Sequence, residues 1–344
     1  MQAAELDFVR PAELQATTTA EDRGLRRDEV RLMVTTPEET HHAAFLDLPL
    51  HLRRGDLLVV NESETLPASL PARAEPLGSF LVNLSTWYGG RTWLAEPRWG
   101  PGRPGPLPLE EGQVIQVGGH DAHLLSEYPG LPRLWFLRVE GDLRKAIRHS
   151  GRPIQYGYLS RSYPLEAYQT IFAQVPGSAE MPSAARPFTR RVLQRLGDRG
   201  IRVAPIVLHA GVSSLEIEAK RVEEQPLFPE PYEVPASTAR LVNETRTRGR
   251  QVIAVGTTVV RALETAWDGE AVRPSAGFTR AFIYPQRGLH AVDGLITGFH
   301  DPVTTHLAIL HTLAGPQVVR EAYEEAVRHR YLWHEFGDSH LLLT

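Results

Sequence analysis

The order of apolar and polar positions gives the chain three textures. Residues 8–14 are a short apolar segment with a proline, the pattern of an N-terminal strand and turn. Residues 28–35 (DEVRLMVT) alternate as a strand, and residues 44–52 read as a turn into a short helix. An Arg54-Gly55-Asp56 turn precedes residues 57–60, an apolar run short enough for a buried strand. Between about residues 71 and 139 the texture changes. Strand-like runs at 79–84, 92–97, 113–117, 123–128 and 134–139 are separated by Gly/Pro clusters, densest at 100–108, with no helical period. Short strands between turns predict a small barrel or sandwich.

Helical signals return at residues 141–149 and 166–173. Residues 189–199 form an amphipathic helix that Thr189 can cap, with Val192, Leu193 and Leu196 on one face and Gly200 ending it. Strands are expected at 201–209, 251–255 and 281–283, and helices at 238–248, 257–267, 301–313 and 318–329. This alternation argues for a βαβ-rich sheet. The expected architecture is a mixed α/β domain (residues 1–70 and 141–344, discontinuous) carrying an inserted β-barrel domain (residues 71–140).

Composition narrows the function classes. The 344 residues are 42% hydrophobic and 23% charged, ample for a large core. A net charge of -4 gives no general attraction to nucleic acid, although a local basic face is compatible with it. The helix bearing Arg190, Arg191, Arg195 and Arg199, with Arg202 beyond it, is the candidate for such a face. Cysteine is absent, which excludes disulfides, thiol catalysis and cysteine metal sites. No apolar run approaches the roughly 20 residues of a membrane span, and no secretory signal opens the chain, so a cytoplasmic protein is expected.

Several constellations can carry chemistry. In QVIAVGTTVVRALE (251–264) an apolar strand runs into Gly256, Thr257 and Thr258, and then a helix. A helix N-terminus there offers free N–H groups and hydroxyls to a polar ligand. Arg261 and Glu264, three apart, share a helix face. The plainer reading is a capped helix with a surface ion pair. In LITGFHDPVTT (295–305), His300 follows Phe299 at a second strand-to-helix turn, where Asp301 suits an N-cap and Pro302 a first helical residue. That place suits a general base or a hydrogen-bond donor, and equally a histidine packed at a turn. In VLHAGVS (207–213), His209 closes a strand and Gly211 permits close backbone approach. The loop MPSAARPFT (181–189) and the terminal YLWHEFGDSHLLL, with Asp338 in a turn, complete the set. His41-His42 reads as solvated, and no HxH or HExxH pattern supports a metal site. The motifs GxSxG, Walker A and GxGxxG are missing as well.

Taken in order, LPLHLRRGDLLVVNESETLPASL (48–70), AYQTIFA (167–173), PSAARPFT (182–189), LHAG (208–211), VIAVGTTVVRALE (252–264), LITGFHDPVTTHLAILHTLAG (295–315) and YLWHEFGDSHLLL (331–343) resemble the S-adenosylmethionine:tRNA ribosyltransferase-isomerase family of queuosine biosynthesis. The resemblance implies a mixed α/β fold with an inserted β-barrel. It implies S-adenosylmethionine as ribosyl donor and tRNA as partner. A 7-aminomethyl-7-deazaguanine in the tRNA would receive the ribosyl unit, which rearranges to the epoxide of epoxyqueuosine as adenine and methionine leave. The implied catalytic residues are His209, His300 and Arg261. The implied binding residues are Asn61, Ser183, Phe188, Thr189, Gly211, Gly256, Thr257, Thr258, Glu264, Phe299, Thr304 and Asp338. No metal is implied.

The chain also departs from that pattern. Where the family reads PTAGLHFT, Ala185, Arg186 and Pro187 replace Gly, Leu and His. Glu64 and Ser69 stand at two expected arginines. HVGxGTF becomes HAGVSSL, EEQPLFPEPYEV lacks two expected histidines, FHLPKST becomes FHDPVTT without its lysine, and SRLLV becomes VRLMV. Fewer cations mean fewer phosphate contacts. The alternative reading is a divergent paralogue acting on S-adenosylmethionine or a related nucleoside with a small-molecule acceptor.

Overall fold

Strand β1 (Arg31–Thr35) turns back into β2 (Thr40–Ala44), and a 3-10 helix (Phe45–His51) leads to β3 (Leu57–Asn61). The computed structural model describes residues 1–100, 105–212 and 217–344. A short β4 (Ser63–Thr65) follows, and then six strands: β5 (Ser69–Ala74), β6 (Gly78–Trp87), β7 (Thr92–Arg98), β8 (Val114–Val117), β9 (His120–Tyr128) and β10 (Leu131–Val139). These six close into an antiparallel barrel in the order β10-β7-β6-β5-β8-β9. Leu70, Val82, Leu84, Ile115, Leu124 and Leu137 are among the side chains that fill it. The expected barrel is therefore present.

Helix α1 (Leu143–Ser150), capped by Asp142, leads away from the barrel, and β11 (Val175–Ser178) pairs with β4. The rest alternates: α2 (Arg190–Asp198), β12 (Arg202–Leu208), β13 (Glu230–Val234), α3 (Ala236–Thr247), β14 (Val252–Val255), α4 (Thr257–Thr265), β15 (Ser275–Thr279), β16 (Gly294–Gly298), α5 (Thr305–Ala314), α6 (Pro316–Arg328) and β17 (Ser339–Leu343). Nine strands form one sheet in the order β15-β13-β12-β3-β14-β16-β17-β1-β2. Its centre, β12-β3-β14-β16, is parallel. The continuous apolar run of β3 follows from this, because a central parallel strand is covered on both faces. Leu57 and Val59 belong to the core on the side of α3 to α6, whereas Leu58 and Val60 belong to the core on the other side with Val192 and Leu196 of α2.

Four local expectations differ from the structure. Residues 8–14 hold no strand; 3-10 turns occupy Ala3–Leu6 and Ala12–Leu14. Residues 166–173 form only a 3-10 turn (Leu165–Tyr168), because the Gln169 carboxamide bonds both the N–H and the C=O of Thr65 and draws the chain along β4. The strand expected at 281–283 lies earlier, at β15, where it pairs with β13. Helix α5 starts at Thr305 with Thr304 as N-cap, not at Asp301. The Asp301 carboxylate instead holds Arg10 (2.6 Å) and His334 (2.7 Å), and Val303 takes a left-handed φ of 55° that no helix continues through. The cluster at 100–108 and the segment 209–215 lie partly outside the described residues.

Candidate active site

The carboxyl ends of four parallel strands meet at one edge of the sheet: Asn61 ends β3, His209 follows β12, Gly256 follows β14, and Phe299-His300 follow β16. Open parallel sheets bind ligands at that edge, because the loops there converge while helices cover both faces.

Gly256 has a φ of 94°, which an L side chain rarely adopts, and its N–H bonds the Ile296 carbonyl at 2.8 Å. The turn delivers Thr257 and Thr258 to the first turn of α4. The 3-10 turn Ser183–Ala185 packs beside it, so that a Cβ at Gly256 would sit 3.5 Å from the Ala184 methyl. Asn61 is fully buried and ties three segments together. Its amide donates to the Leu208 carbonyl (2.8 Å) and Thr258 Oγ1 (3.3 Å), and its Oδ1 accepts from Ser63 and Leu208 N–H groups.

His209 sits on a hydroxyl relay. Its Nδ1 lies 2.7 Å from Ser63 Oγ, which lies 2.6 Å from Ser178 Oγ, and Ser178 accepts from the Ala210 N–H at 3.0 Å. Gly177 lies against the imidazole so closely that a Cβ there would come within 2.4 Å of it. Burial lowers the His209 pKa, keeping the ring neutral. The next turn is pinned by Glu230, whose Oε1 accepts from Gly211 N–H at 2.7 Å. The barrel reaches the same turn through Ser85 Oγ, which accepts from Val212 N–H at 2.9 Å.

His300 is surrounded by other histidines. Its Nε2 lies 2.7 Å from Thr297 Oγ1, its N–H donates to the Tyr323 hydroxyl, and its carbonyl accepts from Trp333 Nε1. The His306 ring is 4.4 Å away. Burial, then His306, His334 and His340, holds the His300 pKa well below the ordinary value. Burial and the Arg261 guanidinium bring His306 down to about 3. His334 pairs with Asp301 on one side, and its ring stacks on Tyr158 at 4.9 Å. Beside it Glu335 has a buried Oε2 without a hydrogen-bond partner, and burial pushes its pKa up to about 7. None of His306, His334 and Glu335 was singled out from the sequence; the adjacent His-Glu in the terminal segment was the one signal for two of them.

Other sequence candidates are engaged in support. Arg261 and Glu264 do not pair with each other. Arg261 donates to Glu230 and the Ala281 carbonyl, whereas Glu264 accepts from the His290 and Ala291 N–H groups. Phe188 is a core ring, edge-on to Phe45 and Phe172, and Phe299 packs against Trp333, Tyr331 and His340. Thr189 caps α2 and donates to Asp28 at 2.6 Å. Thr304 donates to the Asp301 carbonyl. Asp338 accepts from the Arg31 and Leu332 N–H groups and from the Arg31 guanidinium. Within the basic run, Arg191 pairs with Asp28, Arg195 with Asp47 and Arg202 with Glu244, while Arg190 and Arg199 are exposed.

A family model described as "Queuosine biosynthesis protein" matches residues 3–342. The chain belongs to this queuosine biosynthesis protein family. A relative from Rubrobacter xylanophilus named S-adenosylmethionine:tRNA ribosyltransferase-isomerase is 41% identical, over 100% of this chain and 98% of its own. One of the same name from Carboxydothermus hydrogenoformans is 35% identical over the full length of both. The crystal structure of S-adenosylmethionine tRNA ribosyltransferase from Thermotoga maritima aligns with a TM-score of 0.55 at 30% identity, covering 98% of this chain and 100% of that one. In the 182–189 loop Arg186 turns inward: it donates to the Ala167 carbonyl and to Glu21, and lies over the Phe336 ring at 4.7 Å. Among the described residues, no helix is long and apolar enough to cross a membrane.

Proposed function

We propose that this chain is an S-adenosylmethionine:tRNA ribosyltransferase-isomerase that acts in the cytoplasm. It transfers the ribosyl moiety of S-adenosylmethionine to 7-aminomethyl-7-deazaguanine in tRNA and isomerises it to the epoxide, releasing adenine and methionine. The observation that carries this reading is the gathering of His209, the Gly256–Thr258 turn and His300 at the carboxyl ends of adjoining parallel strands, in a chain matched end to end by relatives of that name.

The reaction needs two proton movements. One proton leaves the carbon that the sulfonium acidifies, and one reaches the departing adenine. Neutral imidazoles held by hydroxyls suit such transfers, because they can accept a proton at one nitrogen while the other is fixed. In this reading His209 and His300 face the reacting groups. Ser183, Gly211, Thr257 and Thr258 lie against the nucleoside. Asn61 and Arg261 position the loops, and Phe188, Thr189, Glu264, Phe299, Thr304 and Asp338 hold the walls. The inserted barrel, as a domain of its own, carries Ser85 to the His209 loop.

Incubation of the chain with S-adenosylmethionine and a tRNA bearing the 7-aminomethyl-7-deazaguanine base tests this. Adenine and methionine should appear in equal amounts, with an epoxide-bearing nucleoside in the digested tRNA. No adenine release with that tRNA, or equal release without it, would refute the reading.

A further inference from the structure

A second chemistry-bearing cluster lies outside the candidate site, at the β2 side of the sheet. His42 stands on β2, the outermost strand, and Glu325 and His329 are one helical turn apart at the end of α6. One ligand atom from each, a ring nitrogen or a carboxylate oxygen, lies within 4.8 Å of the other two. Both imidazoles aim Nε2 at a single oxygen: His42 Nε2 is 3.2 Å and His329 Nε2 is 2.9 Å from Glu325 Oε1. The rings stack, with centroids 4.2 Å apart and planes 20° from parallel. The second carboxylate oxygen is taken by Arg328, so Oε1 alone faces the histidines.

We propose that His42, Glu325 and His329 form a binding site for a divalent transition-metal ion of the zinc class. Two imidazoles and a carboxylate are ligands that such ions prefer, and Mg²⁺ and Ca²⁺, which take oxygen ligands, do not. The spacing agrees. Metal–ligand bonds of about 2.0–2.1 Å in a tetrahedron put neighbouring ligand atoms about 3.3 Å apart. The two observed separations from Glu325 Oε1 are already 3.2 and 2.9 Å, so an ion can enter with small side-chain shifts. The outer contacts also fit. His42 Nδ1 is 2.8 Å from the Tyr331 hydroxyl, which fixes the ring and leaves Nε2 for the ion. The i, i+4 spacing of Glu325 and His329 lets one helix turn chelate. Three protein ligands leave a fourth position for water.

The consequence is structural. An ion here clamps edge strand β2, which among the described residues pairs only with β1, to the end of α6. Tyr331, which touches His42, begins the segment 331–338 that carries His334, Glu335 and Asp338. The clamp therefore stiffens the support of one wall of the candidate active site without touching substrate.

The test is a Zn²⁺ titration by calorimetry of the full chain, free of any affinity tag and stripped with chelator, with thermal unfolding in parallel. One Zn²⁺ should bind per chain and raise the melting temperature, and Mg²⁺ should do neither. H42A and H329A should each weaken binding at least tenfold and abolish the thermal shift. Both side chains are partly exposed, so these variants should melt as wild type does without metal. E325Q, which keeps the side-chain shape, should also bind more weakly. Co²⁺ should give the visible absorption of a tetrahedral site in wild type and not in H42A. The proposal is overturned if wild type binds no Zn²⁺ stoichiometrically, or if H42A and H329A bind it as tightly as wild type, which would place the ion on other histidines.

Discussion

Arg261 Nη1 lies 2.5 Å from Glu230 Oε2, and the other oxygen of the same carboxylate accepts from the Gly211 N–H at 2.7 Å. The guanidinium of the α4 helix thus fixes, through one glutamate, the backbone turn after His209. Both partners are largely buried, with side-chain exposures of 17% and 6%. Breaking such a pair leaves an uncompensated charge and costs about 3 kcal/mol. R261A should lose roughly that in urea unfolding, and E230Q less, because its amide can still accept from Gly211. Adenine release should fall in both. A stability for R261A within about 0.5 kcal/mol of wild type would mean that the pair is idle.

The relay beneath His209 gives a second prediction. In S63A, the buried Nδ1 loses its hydroxyl partner, which costs about 1–3 kcal/mol. If the relay orients the imidazole for the reaction, kcat for adenine release should drop about tenfold or more with KM little changed. Turnover of S63A at the wild-type rate would exclude that role.

Arg186 and Glu21 make an asymmetric pair. Arg186 is 4% exposed and Glu21 44%. Burial, then Arg27, lowers the guanidinium pKa to about 10; burial raises that of Glu21, but Arg186 and Arg27 outweigh it and bring it to about 2. Removing the anion strands a buried cation, whereas replacing the cation with an apolar side chain removes the problem. E21A should therefore cost about 1–2 kcal/mol, discounted for the exposure of Glu21, and R186L less than about 1 kcal/mol. The double variant should resemble R186L. A larger loss in R186L than in E21A would contradict this.

Glu335 sets a pH dependence. Its folded pKa of about 7 lies above the 4.5 of an ordinary glutamate. Folding thus takes up a proton between those values, so its contribution is full below pH 4.5 and is lost as pH rises through 7. E335Q removes that loss. The variant should come close to wild type at pH 4.5 and exceed it at pH 8 by on the order of 3 kcal/mol. Parallel stability curves for the two proteins between pH 4.5 and 8 would show that Glu335 does not titrate in this way.

Much of the fold was legible along the chain, and the reasons are local. The barrel strands alternate between turn residues, and α2 announces itself by Thr189 and its apolar face. The Gly256 turn is legible because only glycine takes its backbone angle easily. The errors came where a distant partner overrode a local signal. Asp301 looks like an N-cap, but Arg10 and His334 hold its carboxylate. Residues 166–173 look helical, but Gln169 bonds the backbone of Thr65.

By itself, the sequence determined the family, the α/β class with its barrel, and the turns that place Gly256, His209 and His300 at strand ends. Periodicity, glycine conformation and ordered motifs are properties of neighbours in the chain. The tertiary structure alone decided which charges meet. Arg261 and Glu264 are three residues apart yet bond to residues 31 and 27 positions away, Glu230 and Ala291. His334 and Glu335 join His300 only because β17 inserts between β16 and β1 and brings the 331–338 segment to the end of β16, whereas His306 reaches it from the first turn of α5. A buried polar group must find a partner wherever the packed chain puts one, and helix spacing does not say where that is.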